Sequence, residues 1–220
     1  MDFDDLYRGK KDYFGSEPEA LLLKHQGLLA RDRPILDVGA GQGRNALFLA
    51  RMGLRVDAID PSRVGMDVVS AAASSDNLPM RTYTCGFEAF SPEVESYGAV
   101  LLFGMLQILS RESIDVLLQR VNVWLAADGL VFVTCFTTGD PLYEKYKREW
   151  SETGPGSYTD GRGSARTFLR PGELTTLFPG YKVVDLWEGM GPEHRHDEGP
   201  VSRHTMSEAV LRRSPVTAGA

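Results

Sequence analysis

Pro34-Ile35-Leu36-Asp37-Val38-Gly39-Ala40-Gly41-Gln42-Gly43-Arg44-Asn45 is the stretch that decides how the chain reads. A short apolar run stops at a glycine-rich turn, and an apolar pattern of helical spacing follows it. Ala46, Leu49, Ala50 and Gly53 fall on one face at three- and four-residue steps, and Gly53 supplies a helix stop. Strand, turn and helix are expected in that order. A second strand over 55–59 ends in Asp60-Pro61-Ser62, after which Val64, Met66 and Val69 open a second helix. Such a βαβα start implies parallel strands with helices on the faces of the sheet.

Outward from this unit, strands are expected at 81–84, 99–103 and 130–136, the last two buried on both sides because they hardly alternate. Between them Ile114, Leu117, Leu118, Val121 and Leu125 mark one helix face, which Ala126-Ala127-Asp128-Gly129 is expected to end. Residues 137–170 break the pattern. They read as an insertion with a charged helix over 141–150 and a mobile glycine-rich loop, Gly154 to Ser164. After a short helix over 171–178, strands at 181–188 and 204–212 have no helix between them and so pair antiparallel. The expected fold is α/β, a doubly wound, mostly parallel seven-stranded sheet with an antiparallel last strand. It forms one domain over 1–213, with 1–30 as an N-terminal lid segment and 214–220 as a disordered tail.

The chain has 220 residues, 42% of them hydrophobic, and a net charge of -6. Phosphate neutralisation needs clustered Lys and Arg, so neither nucleic acid nor a membrane is the expected partner, and a small-molecule substrate is. Cys85 and Cys135 lie in apolar strand-like runs without metal-ligand spacing, which reads as two reduced, structural cysteines and no metal. Residues 1–11 are acidic and polar and no later stretch approaches membrane-spanning length, so a cytoplasmic location is expected.

Glycines in the turn let the backbone bend sharply and approach a ligand. A dinucleotide fingerprint would need its third glycine one place later, where Arg44 stands, and would not put the carboxylate of Asp37 against a pyrophosphate. A ligand with a cation at that point suits the loop. The amino-acid part of S-adenosylmethionine carries an ammonium beside a sulfonium and no phosphate. Asp60 follows at about the 20-residue spacing from which a carboxylate accepts from both ribose hydroxyls, and its plainer reading is a turn or cap residue helped by Pro61.

The run Leu36-Asp37-Val38-Gly39-Ala40-Gly41-Gln42-Gly43-Arg44-Asn45, followed by Ala58-Ile59-Asp60, resembles the class I S-adenosylmethionine-dependent methyltransferases. The Gly-Gln-Gly-Arg-Asn stretch looks most like the tellurite-resistance branch, which is related to the thiopurine methyltransferases. The resemblance implies that Asp37 and the backbone of Gly39, Gly41 and Gly43 hold the methionine part of the cofactor, that Asp60 holds the ribose, and that Arg44, Asn45 and Pro61 belong to the same cofactor-binding set. It also implies that Tyr13 folds over the cofactor and that Phe103 and Met105 flank the methyl group, although both read equally well as core. Where the superfamily often has an acidic residue for adenine, this chain has Cys85-Gly86-Phe87-Glu88, so Gly86 backbone and Phe87 packing are expected there instead.

A methyl sulfonium is already activated, so transfer needs alignment and exclusion of water, with a base only for acceptors that must lose a proton. The polar groups that fit this work are His194, Arg195 and Arg203 in the last connection, followed by His204; the first two match a His-Arg pair of the resembled branch. Their bland reading is a solvated hairpin. His194 and His196 alone make no zinc site. The expected activity is methyl transfer to a small acceptor. Its rivals are a nicotinamide oxidoreductase, which the loop disfavours, and a cofactor-binding regulator without catalysis, which shares the same motifs.

Overall fold

The computed structural model describes residues 3–195, 199 and 201–215. Two N-terminal helices, α1 (Phe3–Tyr7) and α2 (Ala20–His25), precede β1 (Ile35–Val38), α3 (Arg44–Arg51), β2 (Val56–Asp60), α4 (Arg63–Ser75) and β3 (Met80–Thr84). Next come β4 (Tyr97–Leu102), α5 (Arg111–Trp124), β5 (Leu125–Phe136) and α6 (Tyr143–Glu149). The chain continues through β6 (Ser151–Gly154), β7 (Ser157–Thr159), β8 (Ala165–Thr167), α7 (Glu173–Thr176), β9 (Tyr181–Met190) and β10 (Thr205–Arg213). Seven strands form one sheet in the order β3-β2-β1-β4-β5-β10-β9. The first five pair parallel, and β10 runs antiparallel to both β5 and β9. This is the doubly wound α/β sheet expected from the sequence, with its last strand reversed.

Period two along the strands builds two core layers. Leu36, Val100, Leu102, Val131 and Val133 face Leu117, Val121 and Trp124 of α5. Ile35, Ala99, Leu101, Leu130 and Phe132 pack with Ala46, Leu49 and Ala50 of α3 on the other side. Ser62 and Ser110 cap α4 and α5, accepting from the backbone N–H of Gly65 (3.0 Å) and Ser113 (3.1 Å). The strand order reverses between β1 and β4, so their C-terminal ends splay connections to opposite sides and open a crevice.

Two local readings are corrected. The α5 helix stops at Trp124, and 125–129 belong to β5, not to a helix cap. Tyr97 pairs with Leu125 but Ala99 with Leu130, so the extra residues form a bulge, with Asp128 at a φ of 61°. The glycine-rich loop is not a loop throughout: β6, β7 and β8 make a separate antiparallel sheet of three strands. Its anchor is Tyr158, 2% exposed, whose ring meets Tyr143 of α6 edge-on at 6.1 Å. Glycine content signalled the turns, but two buried residues, Ser157 and Tyr158, were enough to hold a strand between them. Of the tail, 216–220 lie outside the described residues, as do His196 and Asp197.

Candidate active site

A cavity of about 860 Å³ opens at the crevice beyond the C-terminal ends of β1, β2 and β4. Its wall includes Asp37, Gly39, Gly41, Arg44, Asn45, Asp60, Pro61, Gly86, Phe87, Phe103, Met105 and Tyr13, together with His194 and Arg195. Gly43 and Arg203 are not on that wall. The would-be Cβ of Gly43 would lie 2.7 Å from Val69 Cγ2, so this glycine lets α3 and α4 pack closely. The Arg203 guanidinium donates from Nε to the Gly191 carbonyl at 3.0 Å, tying the two arms of the last connection together.

The glycine turn is shaped by its neighbours. Gly39 and Gly41 have φ values of 72° and 56°, where an L side chain is strained. A Cβ on Gly39 would meet Met105 Sδ at 2.2 Å, and one on Gly41 would meet the Tyr7 hydroxyl at 2.8 Å. Met105 therefore lies against the turn, which accounts for a thioether on the cavity wall as well as in the core. The backbone N–H groups of Gly39 and Ala40 both donate to the Ile59 carbonyl, at 2.8 and 3.1 Å.

Asp37 is 2% exposed, and its Oδ2 is buried without a hydrogen-bond partner among the described residues. Burial pushes its carboxyl up to about 7; the Arg44 guanidinium opposes this and the Asp60 charge adds to it. An unpartnered buried carboxylate oxygen is costly, so the site calls for a donor that carries positive charge. The ammonium of a methionine group fits that oxygen. A pyrophosphate would be repelled by it.

Asp60 is buried too, and both of its oxygens accept backbone N–H groups, Oδ2 from Gly41 at 2.9 Å and Oδ1 from Ser62 at 2.8 Å. Desolvation raises its carboxyl above the ordinary range, against those two bonds. It thus braces the turn as well as facing the cavity, and the cap reading and the ligand reading both hold a part of the geometry. Asp60→Ala should therefore weaken S-adenosylhomocysteine binding by about 1–3 kcal/mol and also lower the unfolding midpoint, because two buried donors lose their partner. Calorimetry and thermal unfolding on one sample check both; an unchanged midpoint would leave Asp60 only its ligand-facing role.

The N-terminal segment lies across the turn. The Tyr13 N–H donates to Gln42 Oε1 at 2.7 Å, and Gln42 Nε2 donates to the Lys10 carbonyl at 2.8 Å. Tyr7, Tyr13 and Phe14 meet edge to face, with Tyr13 and Phe14 centroids 4.8 Å apart. Arg44 pairs with Glu19 and donates to the Phe14 carbonyl at 3.2 Å, while Asn45 Oδ1 accepts the Glu19 N–H at 2.9 Å. Arg44 and Asn45 reach the cavity, but their polar groups fasten this segment.

Several lining residues escaped the sequence. Glu88 lines the cavity beside Gly86 and Phe87, and the signal was present in the Cys85-Gly86-Phe87-Glu88 run. Cys85 lines the cavity as well, and partial burial raises its thiol. Gln107 also lines it, with a buried Oε1 that has no partner among the described residues. Leu142, Tyr146 and Arg166 arrive from the insertion, where no local motif marks them, and His204, already noted after Arg203 in the sequence, arrives just before β10. His194 is bridged to Ser202 by two backbone bonds (3.0 and 2.8 Å), and Arg195 follows it on the wall.

Among the described residues no group of three or more His, Cys, Asp or Glu side chains is placed to hold a metal ion. Nor, among them, is any helix long and apolar enough to cross a membrane.

The methyltransferase-domain family matches residues 35–129, the span from β1 into the β5 bulge. A probable S-adenosyl-L-methionine-dependent methyltransferase, TehB of Haemophilus influenzae, is 23% identical over 202 residues, covering 88% of this chain and 63% of its own length. The chain thus spans less than two thirds of that relative. The crystal structure of TehB from Haemophilus influenzae superposes with a TM-score of 0.71 at 18% identity, covering 96% of this chain and 67% of that one. The Burkholderia thailandensis 1,6-didemethyltoxoflavin-N1-methyltransferase, solved with 1,6-didemethyltoxoflavin and S-adenosylhomocysteine, superposes with a TM-score of 0.65 at 16% identity, covering 96% of this chain and 84% of that one. At those identities the two structures establish the common fold. Residues 35–129 thus match the methyltransferase-domain family, and the chain resembles TehB, a probable S-adenosyl-L-methionine-dependent methyltransferase, in sequence and in fold.

Proposed function

We propose that this protein transfers a methyl group from S-adenosylmethionine to a small-molecule acceptor and releases S-adenosylhomocysteine. The observation that carries the reading is the buried carboxylate of Asp37, a residue of the cavity wall at the switch point of the sheet, whose Oδ2 has no hydrogen-bond partner among the described residues. When bound, the cofactor supplies a methyl group on a sulfonium, which an acceptor lone pair can take as the carbon–sulfur electron pair returns to sulfur. In this reading the chain does the rest. Asp37 accepts from the ammonium, Asp60 and Pro61 lie along the ribose, and Gly86, Phe87 and Glu88 flank the adenine. The Tyr7, Tyr13 and Phe14 cluster covers the cofactor and excludes water, which strengthens each charged contact beneath it.

The acceptor end is bounded by Phe136, Leu142, Tyr146 and the hairpin residues His194 and Arg195. A volume of about 860 Å³ accommodates a cofactor with a small molecule beside it, not a folded polymer. The didemethyltoxoflavin of the Burkholderia neighbour is an acceptor of that size class. The single domain over 1–213, with 1–30 as its lid segment, belongs to the same proposal, as does a small-molecule partner rather than nucleic acid or membrane.

Calorimetry tests the reading directly: S-adenosylhomocysteine should bind and NAD should not, and the reverse result would restore the oxidoreductase. Arg195→Ala tests the acceptor end. Its guanidinium can orient an anionic or ionising acceptor with paired donors. Turnover on an acceptor found by release of S-adenosylhomocysteine should fall at least tenfold, about 1.4 kcal/mol of barrier, with cofactor affinity within about threefold. Unchanged turnover would make the hairpin a solvated turn.

A further inference from the structure

We propose that Asp140 and His204 form a proton-accepting pair at the acceptor end of the cavity, and that the acceptor is a small aromatic or enolic molecule whose hydroxyl must lose its proton to react. The inference rests on the methyltransferase reading above and adds to it the substrate class and the base.

Asp140 lies in the turn that follows β5, is 4% exposed, and belongs to no catalytic motif in the sequence. Its Oδ1 accepts the Leu142 N–H at 2.8 Å, and its Oδ2 accepts the Thr205 N–H at 3.0 Å. The same Oδ2 lies 2.9 Å from His204 Nδ1. A carboxylate already surrounded by donors acts as an acceptor, so Nδ1 carries the hydrogen and Nε2 carries the lone pair. The His204 ring also stacks on Phe136, with centroids 4.2 Å apart and planes 20° from parallel. Two constraints, one in the ring plane and one across it, leave the imidazole a single orientation. Nε2 has no hydrogen-bond partner among the described residues, and His204 lines the cavity.

A buried carboxylate that orients a histidine whose other nitrogen borders a ligand cavity is the arrangement required of a general base. A thiolate or an oxyanion would have no use for it, because such acceptors arrive with the lone pair exposed. A phenol or enol does. Its O–H proton passes to Nε2, the imidazolium is stabilised by Asp140, the freed oxygen lone pair becomes available for the methyl group, and the proton afterwards leaves to solvent. Phe136, Leu142, Tyr146 and Met206 supply apolar walls for a ring on this side of the cavity. The charged and titratable groups around His204 are Asp140 from the turn after β5 and His194 from the hairpin, its ring centroid 5.2 Å away. Arg195, Tyr146, Arg166 and Glu208 share the cavity wall.

The test uses the full chain loaded with S-adenosylhomocysteine and 4-nitrophenol as probe, because the anion of that phenol absorbs visible light and reports proton transfer without turnover. Calorimetry on the wild type comes first: absence of S-adenosylhomocysteine binding would defeat the methyltransferase reading itself, before the base is at issue. At a pH about one unit below the probe's own midpoint, the bound wild-type complex should show several times the anion signal of free probe. His204→Gln should bind S-adenosylhomocysteine within about threefold of wild type and lose the added anion signal. Asp140→Asn should lower it part of the way; if that variant does not fold, His204→Gln and His204→Phe decide alone. A wild-type complex that does not bind the phenol, or binds it neutral, overturns the proposal, as does a His204→Gln variant that keeps the wild-type signal.

Discussion

Asp37→Asn should cost the protein roughly a hundredfold or more in S-adenosylhomocysteine affinity while making the ligand-free protein more stable above neutral pH. Both effects come from one buried carboxylate. Removing one partner of a buried, hydrogen-bonded charge pair typically costs about 2–5 kcal/mol of binding, and Asn retains the shape without the charge. The stability effect has the opposite sign. Burial holds the Asp37 carboxyl near 7 against an ordinary 3.8, so between those values the folded state keeps a proton that the unfolded state releases. Stability therefore falls as pH rises from about 4 to about 7 and stays low above it, by an upper bound of roughly 4 kcal/mol. Asn has no charge to desolvate and escapes that loss. Ligand affinity should run the other way with pH. Pairing with the ammonium needs the ionised carboxylate, so S-adenosylhomocysteine binding should weaken below about pH 7, approaching tenfold per pH unit, with proton release on binding. Calorimetry across pH about 5 to 8 checks this. A slope that persists unchanged in Asp37→Asn would assign the titration to another group.

Gly65→Ala should destabilise the protein although helix propensity favours it. Gly65 lies in the first turn of α4, where alanine would ordinarily add up to about 1 kcal/mol. Its would-be Cβ, however, lies 2.6 Å from the Gly41 carbonyl oxygen and 3.3 Å from Tyr7 Cδ2. The first contact is backbone, which cannot swing aside as a side chain would. Overpacking of this kind costs about 1–3 kcal/mol, so the net change should be a loss of roughly 1–2 kcal/mol and a fall of several degrees in the unfolding midpoint. Moving Gly41 also disturbs its N–H bond to Asp60. S-adenosylhomocysteine affinity should fall with stability, by about tenfold. A midpoint that rises would mean that α4 slides away from the turn at no cost.

These two residues mark the boundary between what is legible in a chain and what is not. Asp37 stands in a local pattern: apolar run, carboxylate, alternating glycines and a second carboxylate at the end of the next strand. Each step of that pattern is set by neighbours in sequence, because strand alternation, turn conformation and helix start are local backbone properties. The opening βαβα unit follows from it, and the remaining strands and the antiparallel pairing of the last two follow from equally local runs further along the chain. Gly65 looks by sequence like a mildly unfavourable helix residue, and only the approach of the glycine turn from 24 positions earlier gives it a function. Gly43 carries a packing demand that its place in the motif does not show, since a Cβ there would meet Val69.

What only the tertiary structure decided is the make-up of the proposed acceptor end. Asp140, Tyr146, Arg166 and His204 come from three separate segments, and the 64 positions between His204 and Asp140 carry no periodicity that would pair them. They meet because β10 runs antiparallel beside β5, which brings the residue before β10 against the turn after β5. Pairing register across a sheet depends on which strands are neighbours, and that is a property of the whole chain's packing. The cofactor end of this protein could be written from one motif because a helix terminus and a strand end present it. The acceptor end required the assembled sheet.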